Sequence, residues 1–111
     1  MKAITTHILD TATGRPASGV GMVLERERDG GWATLFRGET NADGRATLVE
    51  QGALEAGNYR VTFDTGGYHA GQGVRGFYPR VQVDFVVEDA TQHFHVPLLV
   101  SPFGFSTYRG S

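Results

Sequence analysis

The side chains of this sequence able to do chemistry lie in short, separated stretches. They are His7 in "TTHILD", Arg45 behind the "NADG" turn, His93 and His95 in "HFHVP", and Tyr108, Arg109, Gly110 and Ser111 in the closing "YRGS". An imidazole takes up or releases a proton near neutral pH, which suits acid-base work. An arginine aimed by a turn is a permanent two-pronged donor for an anionic or carbonyl-rich ring. The final serine brings a hydroxyl and, at a terminus, an α-carboxylate charged at neutral pH. Taken singly, each group has a plainer explanation as a solvated surface residue. His93 and His95 with His7 also permit a zinc site on one face. That spacing is unspecific, so no metal and no other cofactor is expected.

Positioning these groups falls to strands. Apolar residues alternate in Ile4-Thr6-Ile8, Tyr59-Val61-Phe63, Val81-Val83-Phe85-Val87 and Phe94-Val96-Leu98-Val100, which marks half-buried strands. Successive strand side chains point to opposite faces, so His7, His93 and His95 project outward. "TGRP", "RDGGW", "NADGR" and "LEAGNY" are turn signals between strands, and sixteen glycines suit that many turns. Pro102 and Gly104 predict a further turn, with a last strand over Phe105 to Arg109. "GGYHAGQG" breaks the alternation and predicts one short helix around Gly67 to Gly73. The absence of a βαβ pattern then predicts an all-β fold, an antiparallel β-sandwich of seven to eight strands.

Length and charge narrow the function. At 111 residues the chain makes a single domain spanning 1–111. Ten Lys+Arg against twelve Asp+Glu, with no basic block, exclude the footprint of a nucleic-acid binder. The first residues do not read as a signal peptide and no apolar run reaches the length of a membrane span, so a soluble, cytoplasmic protein is expected. No cysteine is present, which excludes disulfides, thiol nucleophiles and thiolate metal sites.

The opening "THILDTATGRPA", the central "NADGR" and the closing "HVPLLVSPFGFST" with "YRGS" resemble the 5-hydroxyisourate hydrolases, the transthyretin-like enzymes of purine catabolism. The resemblance covers essentially the whole chain. It implies a transthyretin/prealbumin-like sandwich assembled as a homotetramer, with active sites at the dimer–dimer interface. It further implies that His7, Arg45, His95 and the Tyr108-Arg109-Gly110-Ser111 terminus line one pocket. The substrate implied is a small molecule, 5-hydroxyisourate, whose six-membered ring is opened by water.

On that resemblance His7 stands on the base side, acting on water directly or through the Ser111 hydroxyl, while His95 donates to the substrate or relays a proton. The two imidazoles remain interchangeable as the base, and Ser111 acts by its hydroxyl or its carboxylate. Arg45 clamps the ring and stabilises charge on the attacked carbonyl oxygen, while Tyr108, Arg109 and Gly110 contact the substrate. A second reading is a transthyretin-like carrier without catalysis, which would prefer an apolar channel to two histidines and an arginine. A structural sandwich module and a zinc-dependent hydrolase are further alternatives.

Overall fold

The computed structural model describes residues 2–111, and the order of its elements follows from the alternation. The strands are β1 (Lys2–Asp10), β2 (Arg15–Pro16), β3 (Gly21–Arg28), β4 (Gly31–Glu39), β5 (Arg45–Glu50), β6 (Gly57–Phe63), β7 (Val81–Val87), β8 (Phe94–Ser101) and β9 (Gly104–Thr107). One helix, α1 (Thr65–Gly71), sits between β6 and β7. It starts two residues earlier than the sequence suggests. The Asp64 carboxylate accepts from the Gly67 amide at 3.0 Å, and that cap offsets the poor helix propensity of the glycines.

The strands form two sheets. In one, β1 has β2 and β5 on one side and β8 on the other, followed by β9; in the second the order is β4-β3-β6-β7. All these pairings are antiparallel except β1 with β8, which run parallel from Ile4 beside Phe94 to Asp10 beside Val100. The strand count exceeds the expected seven to eight because β2 is a two-residue ladder against Leu9 and Asp10.

The core lies between the sheets. Ile4, Ile8 and Leu98 from one sheet meet Leu24, Val61 and Phe63 from the other, all fully buried. Each such side chain contributes about 2 kcal/mol by leaving water. Thr6, also on the inner face, satisfies its hydroxyl by donating to the Val96 carbonyl at 2.6 Å. The end of β1 is tied down by polar groups. Asp10 is buried, and its carboxylate accepts from the Ala12 and Thr13 amides and from the Tyr68 hydroxyl at 2.8 Å. Burial pushes the Tyr68 phenol up to about 12, and the hydrogen bond to Asp10 and its negative charge add to the shift. Tyr68 therefore stays a donor, anchoring α1 to β1. Among the described residues no helix is long and apolar enough to cross a membrane.

Candidate active site

The outer face of the first sheet carries the chemistry. Across β5-β1-β8, His7 stands beside Arg45 on one strand and Pro97 on the other, while Thr5 stands between Thr47 and His95. Three stretches separated by dozens of residues become neighbours at the strand spacing of about 4.8 Å. The "NADGR" turn sets Arg45 in place. Asn41 Oδ1 accepts from the Asp43 and Arg45 amides, and the Gly44 carbonyl accepts from the Ile8 amide at 2.8 Å. Gly44 has φ +72, and a Cβ there would lie 2.6 Å from the Ile8 carbonyl oxygen, so only glycine lets the turn close this tightly on β1.

A cavity of about 560 Å³ opens on this face, and Arg45, His93, His95 and Ser111 line it together with Thr5 and Lys2. His7 flanks it through its pairing with Arg45. The chain end reaches the cavity by a route other than the expected last strand. Strand β9 stops at Thr107, and the chain then returns to β8, where the Gly110 amide donates to the His95 carbonyl at 2.8 Å. A Cβ on Gly110 would come within 2.5 Å of His95 Cδ2, so the backbone lies directly on the ring. Tyr108 and Arg109 turn away. They line a second cavity of about 400 Å³ between β7 and β8, which His95 borders as well, and Arg109 lies 4.7 Å over the Phe94 ring with a 2.9 Å hydrogen bond to Gln92.

His95 is the most constrained of the histidines on this face. Its Nδ1 is 2.8 Å from Thr5 Oγ1, and its ring lies nearly parallel to that of His93, 6.4 Å between centroids. Burial lowers its pKa below the ordinary imidazole value, and the Arg45 guanidinium beside it, with the neighbouring His93 and His7, lowers it further. It is therefore neutral at neutral pH and able to accept a proton. Among the described residues no three His, Cys, Asp or Glu side chains group so as to hold a metal ion. Such a face can polarise a carbonyl with Arg45 and move a proton through imidazole.

Thr5 and Thr47 are pocket residues that the reading of motifs passed over. Period two does place them, because they lie two positions from His7 and from Arg45 on the same outward face. Asn41 and Asp43 line the cavity as members of the "NADGR" turn, and Lys2 also lines it with no local pattern to announce it.

The same arrangement of strands occurs in known proteins. Residues 4–110 match the HIUase/Transthyretin family. The chain is 48% identical to a Caulobacter vibrioides protein named 5-hydroxyisourate hydrolase, with both chains covered in full. The structure of Klebsiella pneumoniae 5-hydroxyisourate hydrolase matches with a TM-score of 0.85 and 44% identity, over 97% of this chain and 98% of that one. Sea bream transthyretin in complex with thyroxine matches with a TM-score of 0.90 and 34% identity, over 96% and 93%. With the match running from the first strand to the chain end, this protein belongs to the HIUase/transthyretin family.

Proposed function

We propose that this protein is a hydrolase that adds water to a ring carbonyl of 5-hydroxyisourate, opening the six-membered ring to 2-oxo-4-hydroxy-4-carboxy-5-ureidoimidazoline in urate breakdown. The observation that carries the reading is the meeting of Arg45, His95 and Ser111 in one polar cavity beside His7. Relatives named 5-hydroxyisourate hydrolase at 44–48% identity support the same substrate.

In this mechanism Arg45 holds the polar ring and stabilises charge growing on the attacked carbonyl oxygen, an effect worth about 3 kcal/mol for one well-placed donor. The imidazoles of His7 and His95 carry the proton taken from water and return it to the leaving nitrogen. Ser111 orients the water or the ring by its hydroxyl or its carboxylate. Gly110 keeps His95 in place, and Tyr108 and Arg109 meet substrate only if assembly brings their surface to a neighbouring site. The proposed assembly is a homotetramer with the sites at the dimer–dimer interface, acting in the cytoplasm on a free small molecule without cofactor. The carrier reading has one point in its favour, the sea bream transthyretin bound to thyroxine. A pocket lined by Arg45, His93, His95 and Lys2 suits a hydrophobic hormone poorly.

The test is direct. Urate oxidase generates 5-hydroxyisourate in situ, and this protein should accelerate its decay well beyond the spontaneous rate. Decay at the spontaneous rate, with tight binding of a thyroxine-like ligand, would favour the carrier.

A further inference from the structure

The hydrogen-bonded chain behind His95 is closed at its far end, and this gives it a direction. His93 Nδ1 lies 2.8 Å from the Lys2 carbonyl oxygen, which can only accept, so Nδ1 carries a hydrogen. In the neutral ring Nε2 is then bare, and it faces Thr5 Oγ1 across a long contact of 3.5 Å. Thr5 has a single hydroxyl hydrogen. Aimed at His93 Nε2, it leaves Oγ1 to accept from Nδ1–H of His95 at 2.8 Å, and Thr5 Oγ1, His95 Nδ1 and both ring nitrogens of His93 then have partners. Reversed, Thr5 donates to His95 Nδ1, and the exposed His93 Nε2 must take its donor from water. The first direction satisfies more groups within the protein.

We infer that Thr5 and His93 are positioning residues that hold neutral His95 as its Nδ1–H tautomer, so that a bare Nε2 faces the cavity as the base. The inference rests on the hydrolase reading above, and it gives the base role to His95 where the sequence favours His7. The ring is gripped on two edges, with Thr5 on Nδ1 and the Gly110 backbone against Cδ2. Cε1 and Nε2 remain as the open edge. The proton balance closes on this one atom. Water loses a proton to His95 Nε2 as its oxygen bonds the ring carbonyl carbon, and the carbonyl oxygen takes up the electron pair beside Arg45. That pair then re-forms the carbonyl as the C–N bond breaks, and the leaving nitrogen takes the proton back from Nε2. Throughout, Nδ1–H stays on Thr5, which steadies the imidazolium as it forms.

The experiment pairs nitrogen-15 NMR of the histidine rings in the full-length protein with hydrolysis kinetics. Expected are Nδ1-protonated shifts for His95 in the wild type, a move toward the Nε2–H form in Thr5→Val and His93→Phe, and the wild-type pattern in Thr5→Ser. In the Thr5→Val and His93→Phe variants kcat should fall about tenfold or more with KM little changed, and Thr5→Ser should restore it. Wild-type His95 carrying its hydrogen on Nε2 would overturn the inference. So would unchanged shifts in both Thr5→Val and His93→Phe, or a tautomer change that leaves kcat intact. A wild-type protein without hydrolase activity would end the hydrolase reading and the base role with it, while the shifts would still decide the tautomer.

Discussion

His7, Arg45 and His95 occupy the outer side of a sheet whose inner side supplies the core, so their chemistry can be removed without opening a void. His7→Ala, Arg45→Ala and His95→Asn should each lower turnover by about a hundredfold, the scale of a lost proton-transfer or oxyanion group. Melting temperatures should move by no more than about 2 °C, as for surface substitutions. A variant that keeps full turnover removes its residue from the mechanism. The depressed pKa of His95 has its own signature. The folded protein binds this proton more weakly than the unfolded chain, so His95 costs nothing above about pH 6.5 and destabilises the fold as pH falls below it. The acid limb of kcat/KM due to this group therefore lies below about pH 6.5. Arg45→Gln, by removing a repelling charge, should move the NMR titration midpoint of His95 upward. A wild-type midpoint at or above the free-imidazole value would contradict the desolvated setting. Treatment with EDTA should leave hydrolysis unchanged, and a loss restored by zinc would return the histidines to a metal role.

Two pairings decide the site at the level of elements. The parallel contact of β1 with β8 sets Thr5 beside His95, and the antiparallel contact of β1 with β5 sets His7 beside Arg45. The segment after β9 adds the third part by laying Gly110 on the His95 ring and bringing Ser111 into the cavity. In the proposed hydrolase, residues fused after Ser111 would crowd the cavity or lift Gly110 off the ring. A short C-terminal fusion, or deletion of Arg109 to Ser111, should abolish activity while circular dichroism remains β-rich, because the core strands end before this segment. A fused protein that turns over at the unfused rate would show that the segment is not part of the site. An N-terminal tag is a poor control, since Lys2 lines the same cavity.

Over the whole molecule the apolar surface is unevenly spread. Phe103 and Tyr108 are 75% and 59% exposed, and Phe105 on β9 is also uncovered, with its ring 5.1 Å from Tyr78. Large exposed aromatics gathered near an edge strand are more than a soluble monomer ordinarily leaves in water. The proposed tetramer accordingly predicts sedimentation at four times the chain mass, with no monomer at micromolar concentration. A monomeric, fully active protein would separate catalysis from assembly.

The sequence alone determined which way each side chain faces along a strand, because period two is a local property. Ile4, Thr6 and Ile8 point inward and His7 outward, as the alternation requires, and "NADGR" forms its turn through its own Asn41 and Gly44. The family likeness of the ends was legible too. Only the tertiary structure decided which strands are neighbours and in what register, since that choice is made between segments some ninety residues apart. Nothing local in "HFHVP" says that His95 meets Thr5, or that His93 closes on the Lys2 carbonyl. Nor does "YRGS" reveal that its glycine packs on His95 and its serine lines the cavity with Arg45, while its tyrosine and arginine line the neighbouring cavity that His95 also borders. That division depends on where β9 stops pairing with β8, a matter of hydrogen bonds between strands and of the space left beside one imidazole ring.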